Sequence, residues 1–296
     1  MRVIDQSFIE LDDKRLYQKI EMCGRVCYKS EDKITETSAL SFVKKICVNN
    51  HGSVLEHFIF VFKIDEVYYN LLKEANLNFF NLTNITRPIV SFNLRAFLNY
   101  YNVDKNNRVL LPLTIYLSKQ YPDLFEVDDE AYSLFEVDYI DDINILSEPE
   151  RDVHQYISIK ATTDRGVTHE LVRHRLASFS QESTRYCNYS KDKFGNEITV
   201  IRPTSITEDT YPIWKEAMEI AEKLYFEMVS KGASPQLARS VLPNSLKTEI
   251  CITASLKEWK LIFDLRCAPQ AHPDVRVLMN DVKAYFLTRG YIHDSN

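Results

Sequence analysis

Glycine is scarce in this chain, which contains only six glycines among its 296 residues. Neither GxGxxG nor a GxxxxGK sequence followed by Ser or Thr occurs, so the chain has no Rossmann fingerprint and no P-loop. A bound nucleotide would therefore have to be held by side chains and helix ends rather than by a glycine-rich loop.

Positive charge is not in excess either. The chain has 36 Lys and Arg residues against 42 Asp and Glu residues, and its net charge is −6. A protein whose main ligand is duplex DNA or RNA usually has a basic face and a basic total charge. We therefore expect a small anionic ligand and no nucleic-acid partner.

Long apolar runs are missing as well. No run approaches the roughly 20 residues of a membrane-spanning helix, and the N-terminus lacks the apolar segment of a signal peptide. The six cysteines are scattered, and none forms a CxxC pair. We expect a cytoplasmic protein with reduced thiols, no membrane contact and no metal site.

What is present is a large supply of apolar residues, 45% of the chain, in patterns typical of a mixed fold. Apolar residues at helical spacing predict helices, and short alternating or apolar runs predict strands. Helices are predicted at 14–28, 38–49, 169–175, 211–231, 235–242, 256–265 and 273–287. Strands are predicted at 2–11, 58–64, 156–162, 198–201 and 248–254.

Residues 66–155 are the least regular part of the sequence. They contain helical patterns at 68–76, 89–101 and 113–120, together with an acidic run that we expect to be a solvated surface. Asn93, Leu94 and Arg95 lie within this part, and we expect them to serve packing rather than ligand binding.

Residues 173–186 concentrate the groups that bind anions. They contain Arg173, Arg175 and Arg185 together with His174, three serines and a single acid. Arginine forks bind phosphate and carboxylate groups bidentately, and serine hydroxyls add short donors around the same anion. Composition alone leaves two interpretations open, namely an anion site and a solvated basic helix end without a ligand.

The spacing favours the first interpretation. Arg-His-Arg, seven further residues, Ser183 and then Arg185-Tyr186 closely resemble the signature of the flavin-dependent thymidylate synthases. Three more blocks resemble that family's pattern, and all four occur in the expected order. The other blocks are 53–57 (Ser-Val-Leu-Glu-His), 238–243 (Ala-Arg-Ser-Val-Leu-Pro) and 263–266 (Phe-Asp-Leu-Arg), with Asp274 and Arg276 after the last.

The resemblance implies a fold, an activity and an assembly. The fold would be α+β, with a few-stranded sheet packed by long helices. It would form a single domain over residues 1–296, with a mostly helical insertion at about 66–155. The activity would be the methylation of dUMP to dTMP, with methylenetetrahydrofolate as carbon donor and with FAD reduced by NADPH. Family members are homotetramers whose active sites are shared between subunits.

The resemblance also implies roles for individual residues. Arg266 and Ser183 would be catalytic. Arg266 would stabilise negative charge on the uracil ring, whereas Ser183 would mainly bind and orient the nucleotide. The implied FAD-binding residues are Ser53, Glu56, Arg173, His174, Arg175, Gln181, Lys257 and Leu261. The implied dUMP-binding residues are Glu170, Arg173, Gln181, Glu182, Ser183, Thr184, Arg185, Arg239 and Arg266.

The chain departs from the family pattern at three places. Ser180-Gln181 stands where members often have Asn-Glu, and Glu170 stands where they often have Gln. Ser255-Leu256-Lys257 replaces Asn-x-Arg, and Lys257 keeps the charge but lacks the guanidinium fork. These departures affect details of the flavin and nucleotide contacts rather than the order of the blocks.

Two alternatives of other classes remain open. The basic cluster from Arg173 to Arg185 could bind nucleic acid, although the acidic total charge disfavours it. His51, His57, His169 and His174 could form a metal-hydrolase site. His169 and His174 are five residues apart, whereas the HExxH zinc motif requires a spacing of four. The thiol of Cys187 lies near Arg185 in sequence, but we expect no cysteine nucleophile because the resembled chemistry needs none.

Overall fold

The computed structural model describes residues 1–11, 15–49, 51–128, 132–185, 187–190 and 195–293. Several sequence predictions concern residues outside these ranges. They are the turn at Asp12-Asp13, the end of the second helix at Asn50, the role of Tyr186, and the exposure of Asp129 and Glu130.

Twelve α-helices occur in the described part of the chain. In chain order they are α1 (Leu16–Tyr28), α2 (Ser38–Val48), α3 (Gly52–Leu55), α4 (Glu66–Ala75), α5 (Leu94–Tyr101), α6 (Leu111–Gln120), α7 (Glu148–His154), α8 (Arg165–Leu171), α9 (Tyr211–Ser230), α10 (Pro235–Ala238), α11 (Leu256–Arg266) and α12 (Pro273–Thr288). A short 3₁₀ helix, Arg239–Val241, follows α10.

Ten strands complete the described secondary structure. They are β1 (Arg2–Ile4), β2 (Ser7–Glu10), β3 (Ile59–Ile64), β4 (Phe80–Asn84), β5 (Pro88–Asn93), β6 (Val137–Tyr139), β7 (Tyr156–Asp164), β8 (Ser178–Gln181), β9 (Thr199–Ile201) and β10 (Lys247–Ser255). The predicted α+β class is confirmed. The single strand predicted at 2–11 is two strands, β1 and β2, which join different sheets.

The first four-stranded sheet has the order β2-β7-β10-β8, and all its neighbours are antiparallel. Its central strand, β10, pairs with β7 along its whole length, from Lys247 opposite Asp164 to Ser255 opposite Tyr156. On its other side it pairs with β8, and Ile250 lies opposite Gln181. Helices α11 and α12 cover this sheet with a core that includes Trp259 and Phe286, both fully buried.

The second sheet has the order β4-β5-β3-β6 and takes three of its four strands from residues 66–155. The predicted helix at 89–101 is therefore wrong in its first half, where Pro88–Asn93 forms β5. Branched and aromatic residues favour this strand, and Asn93 then caps α5 by accepting a hydrogen bond from the backbone N–H of Ala96. In the described ranges the expected sheet thus becomes two four-stranded sheets and a two-stranded one, in which β1 pairs with β9 in parallel. The second four-stranded sheet has an aromatic core of its own.

The acidic run lies on the surface, as the sequence predicts. Asp123, Glu126, Asp128, Asp138 and Asp142 are all exposed. Within the described ranges, no helix is both long enough and apolar enough to cross a bilayer.

Candidate active site

The segment from α8 to β8 carries most of the predicted site. The carboxylate of Asp164 caps α8 by accepting a hydrogen bond from the N–H of Val167 at 2.7 Å, and the helix begins at Arg165 rather than at the predicted residue 169. The helix ends at Leu171 rather than at Arg175, and turns follow. Because the chain turns here, Arg173 and Arg175 are exposed while His174, between them, is buried.

Arg266, at the last residue of α11, is held by three hydrogen bonds. Its Nη1 donates to Oε2 of Glu170 at 2.9 Å, and its Nη2 donates to the Glu170 carbonyl at 3.1 Å. Its Nε donates to Nε2 of His174 at 3.0 Å. The predicted residues Glu170, His174 and Arg266 therefore form one contact group, with the guanidinium fixed on two of its edges.

His174 has an acid on its other side. Its Nδ1 lies 3.5 Å from Oε1 of Glu258, and both residues are 5% exposed. Burial lowers the pKa of His174, and the neighbouring Arg266 guanidinium lowers it further. Burial raises the pKa of the Glu258 carboxyl. His174 is thus a neutral imidazole near neutral pH, and both of its ring nitrogens face partners within the chain.

The loop after β8 gathers the residues predicted to hold the nucleotide phosphate. The backbone N–H of Ser183 donates to the carbonyl of Cys27 at 3.0 Å, and the Ser183 hydroxyl accepts from the N–H of Arg185 at 3.3 Å. Arg239, on the 3₁₀ helix after α10, donates from Nη1 to the hydroxyl of Thr184 at 3.2 Å. Arg239 thus reaches, from a distant part of the sequence, a loop that already contains Ser183, Thr184 and Arg185. Hydroxyls and arginines close together are the groups that an anion site requires.

Gln181 and Glu182, also predicted to contact ligands, are tied into the protein. The side-chain amide of Gln181 donates to the hydroxyls of Thr168 and Thr248, at 3.0 and 3.2 Å. The carboxylate of Glu182 is buried against the ammonium group of Lys247 at 2.9 Å. Both side chains are therefore engaged with other residues of the protein, and they support the loop after β8.

A buried charge cluster lies behind this loop, centred on Glu249 of β10. Its carboxylate lies 2.8 Å from the ammonium groups of Lys247 and Lys29, and 3.4 Å from that of Lys160. Burial alone would raise the pKa of Glu249, but Lys247 and Lys29 outweigh it and lower this pKa to about 2. The cluster anchors β10 to α1 and to the loop that contains Glu182.

A cleft of about 710 Å³ lies between the two sheets. Four of the predicted flavin residues line it, although they come from distant parts of the sequence: Glu56, Arg175, Lys257 and Leu261. Phe80, the first residue of β4, and Phe79 just before it also line the cleft, and Phe79 is 72% exposed. A cleft of this volume with apolar walls and a few charged groups is typical of a small-molecule or cofactor site.

The position of Arg95 differs from one sequence prediction. We expected Asn93, Leu94 and Arg95 to serve packing, but only Leu94 is fully buried, while Asn93 and Arg95 line the cleft. The Nη1 of Arg95 donates to Oε1 of Glu56 at 2.5 Å. A Cβ on Gly52 would lie 2.6 Å from Nε of Arg95, so this glycine gives the arginine room to reach the cleft.

The structure thus places the predicted residues in three groups: the cleft, the contacts of Arg266 and the loop after β8. The cleft lining does not include four of the predicted flavin residues: Ser53, Arg173, His174 and Gln181. The flavin-binding roles of all eight residues stay predictions. Sequence reasoning missed Arg95 and Glu258. Arg95 lies outside residues 153–287, which match the family model, and Glu258 has the sequence position of an ordinary helix-capping residue, three positions after Ser255.

The four histidines of the hydrolase alternative do not converge. His57 is buried against the hydroxyl of Thr253 at 2.7 Å, His51 contacts the hydroxyl of Tyr28, and His169 is exposed. The described ranges contain no group of three or more His, Cys, Asp or Glu residues that could hold a metal ion. Cys187, the cysteine nearest to the signature serine, is fully buried.

Comparison with known proteins supports the resemblance noted in the sequence. Residues 153–287 match the family model for the thymidylate synthase complementing protein. Flavin-dependent thymidylate synthases from Pyrococcus furiosus and Geobacter sulfurreducens are 39% and 37% identical to this chain over 114 residues, which is 38% of this chain. The match covers 46% and 48% of those relatives, so the chain spans about half the length of the curated relatives it matches.

One solved structure overlaps a larger part of the chain. A UMP/dUMP methylase, PolB, from Streptomyces cacaoi, bound with 5-Br dUMP, covers 97% of this chain at 12% identity, with a TM-score of 0.42. That score is too low to establish a shared fold. The resemblance to the flavin-dependent thymidylate synthases is confirmed by the sequence matches, and it lies in the segment that contains α8, β8, β10 and α11.

Replacing Glu249 with Gln should destabilise the protein at neutral pH and matter less in acid. The pKa of this carboxyl is about 2 in the folded chain, below its ordinary value of 4.5, so its stabilisation is present above the ordinary value. That stabilisation is lost as the pH falls through about 2. Urea unfolding of wild type and Glu249→Gln across this range measures the effect.

Glu227→Gln is the matched control, because Glu227 pairs with Lys231 on the exposed side of α9. Exposed pairs of this kind contribute little at any pH. A free-energy difference between wild type and Glu249→Gln that stays constant from neutral pH to strong acid would contradict the account of the charge cluster.

Proposed function

We propose that this protein is a flavin-dependent thymidylate synthase. It would methylate dUMP to dTMP, with methylenetetrahydrofolate as the carbon donor and NADPH as the source of electrons for FAD. The observation that carries the proposal is the convergence, in one cleft, of Glu56, Arg175, Lys257 and Leu261, which the resemblance assigns to the flavin. The six cysteines are free thiols, which agrees with a cytoplasmic location.

The residues of the cleft fit FAD. Three cations, Arg95, Arg175 and Lys257, line it and are suited to the pyrophosphate, and the exposed ring of Phe79 offers a surface for stacking. The proposed site needs no glycine-rich loop, in agreement with the small number of glycines. When bound, FAD would supply the hydride chemistry, while the protein supplies position and charge.

The loop after β8 is the proposed binding site for the dUMP phosphate. Arg185 and Arg239 would carry the positive charge, and the hydroxyls of Ser183 and Thr184 would donate to phosphate oxygens. The present contact between Arg239 and Thr184 keeps both side chains at this loop before a ligand arrives. Ser183 would orient the nucleotide, since His174, the nearest buried imidazole in the signature, is engaged with Arg266.

Arg266 would act on the uracil ring. The three hydrogen bonds to Glu170 and His174 hold its guanidinium in place without a ligand, so little reorganisation is needed when negative charge develops. Fixed positive charge next to the ring favours its ionised form, which raises electron density at the carbon that accepts the new group. Arg266 would therefore be the principal catalytic side chain.

Residues 66–155 would be an addition to the family domain that completes the cleft. Arg95 and Phe79 belong to this part, and strands β4, β5 and β6 pair around β3. The single domain proposed for residues 1–296 would thus have one site, with walls from both sheets.

Loss of the Arg239 guanidinium should weaken dUMP binding more than FAD binding. Hydrogen bonds to charged groups contribute roughly 1.5–3 kcal/mol each, so Arg239→Ala should raise the Kd for dUMP about 10- to 100-fold. Flavin fluorescence follows FAD binding, and calorimetry follows dUMP. Arg202→Ala is the control, because Arg202 is an exposed arginine paired with Asp5 outside the site.

The activity itself is tested by incubating the protein with dUMP, methylenetetrahydrofolate, FAD and NADPH and measuring dTMP. We expect dTMP only when all four are present. Folded protein that binds no FAD and forms no dTMP would contradict the proposed function. Tight oligonucleotide binding that weakens steeply with salt would instead favour the nucleic-acid alternative.

We further propose that the protein is a homo-oligomer, with a tetramer as the expected form and with active sites shared between subunits. Helix α9 supports this proposal because it exposes an apolar stripe at coiled-coil spacing. The stripe consists of Ile213, Ala217, Ile220 and Leu224, and its three large side chains are 70%, 50% and 44% exposed. A second subunit would bury this stripe.

Ile220→Glu should therefore reduce the mass of the particle seen in sedimentation, since it places a charge in the stripe. Lys223→Glu, on the polar face of the same helix, should leave the mass unchanged. A wild-type protein that sediments as a monomer at high concentration would exclude the proposed assembly.

A further inference from the structure

Glu258 lies in the first turn of α11, where its sequence context predicts a capping residue. Ser255 does cap this helix, because its hydroxyl accepts a hydrogen bond from the N–H of Glu258 at 3.3 Å. The Glu258 carboxylate, however, faces His174, with Oε1 at 3.5 Å from Nδ1. The side chain is also part of the cleft wall. Glu258 therefore connects the proposed flavin cleft with the contacts of Arg266.

The contact with Arg266 determines which nitrogen of the His174 ring carries the proton. A guanidinium is always a donor, so the Nε of Arg266 can bond to Nε2 of His174 only if Nε2 carries a lone pair. The single proton of the neutral imidazole must then sit on Nδ1, facing Glu258. The Glu258 carboxylate, with Oε1 at 3.5 Å from Nδ1, is the acidic group that faces this proton.

We propose that Glu258 is a positioning residue for Arg266. It holds His174 as the Nδ1–H tautomer, so that Nε2 accepts from Arg266 and, together with Glu170, fixes the guanidinium in its place. The role rests on the proposed function of Arg266, but the tautomer it predicts is a property of the protein without any ligand.

The charges around the imidazole agree with this role. Arg266 faces one edge of His174 and Glu258 faces the other, while Glu170 binds the far side of the guanidinium. Lys257 and Arg175 line the same cleft as Glu258. A second proton on the ring would place an N–H against the Nε–H of Arg266. The arrangement therefore excludes the imidazolium and the other tautomer alike.

Nitrogen-15 NMR of the histidine-labelled protein reads this tautomer directly. The chain has seven histidines, and comparison with His174→Gln identifies the signals of His174. Near neutral pH we expect a neutral ring with its proton on Nδ1. A wild-type ring protonated on Nε2, or on both nitrogens, would overturn the proposal whatever the activity of the protein.

Two variants distinguish a positioning role of Glu258 from a role in packing alone. Glu258→Gln keeps an oxygen that accepts from Nδ1, so its His174 signals and turnover should stay close to wild type. Glu258→Leu has no acceptor, so the single tautomer should be lost. Turnover at saturating dUMP should then fall about 10- to 100-fold, by analogy with the loss of a carboxylate that orients a metal-bound histidine, whereas FAD binding should change much less.

Asp281→Leu is the control for loss of an acid, because Asp281 is exposed on α12. Unchanged His174 signals together with unchanged turnover in Glu258→Leu would overturn the proposal. If Glu258→Leu does not fold, the wild-type tautomer and the Glu258→Gln spectrum still decide the question. A protein with the expected tautomer but no dTMP synthesis would refute the proposed function and leave the positioning of Arg266 intact.

Discussion

Strand β10 is paired on both sides, and the positions of the site residues depend on that pairing. Seven of its nine residues are buried. Its register with β8 sets Gln181 opposite Ile250, and its register with β7 sets Lys247 opposite Asp164, the cap of α8. Because side chains alternate along a strand, a slip of one residue would reverse every one of these positions.

The buried charges reinforce this register. Glu249 and Lys247 belong to β10, and they bind Lys29 of the segment after α1 and Glu182 of the loop after β8. Charged groups this deep are stabilising only when all partners are in place. The cluster thus favours one arrangement of strand, helix and loop. It also fixes the position of the loop that contains Ser183 and Thr184.

The cleft itself depends on both sheets. Arg175 and Lys257 come from the segment that resembles the family, whereas Arg95 comes from the part that does not. Glu56 balances Arg95 in the absence of a ligand. An anionic cofactor in this cleft would therefore meet positive charge from both parts of the chain, and its binding would link the two four-stranded sheets.

The sequence predicts site residues that belong to short motifs. It does not predict site residues whose position depends on contacts between distant parts of the chain. The four blocks predicted Arg175 and Arg266, because their types and spacing follow the family pattern, and Lys257 was predicted from its position in the resemblance although it replaces an arginine. Arg95 could not be predicted in this way, since only the pairing of β5 with β3 brings it to Glu56.

The same limit explains the errors in secondary structure. Residues 89–93 have apolar spacing that suits either a helix or a strand, and the partner strands decide between them. Glu258 satisfies the local rule for a helix start, and only the fold shows that its carboxylate serves His174. The partly buried lysines around Glu249 carry no sequence signal that separates them from surface charges.

The central claim is that FAD binds between the two sheets. A crystal structure of the protein grown with FAD and dUMP tests it most directly. The account predicts electron density for FAD in the cleft, with Arg95 on one side, Arg175 and Lys257 on the other, and the uracil ring next to Arg266. FAD bound at another place, or a cleft filled by protein side chains in the presence of saturating FAD, would contradict it.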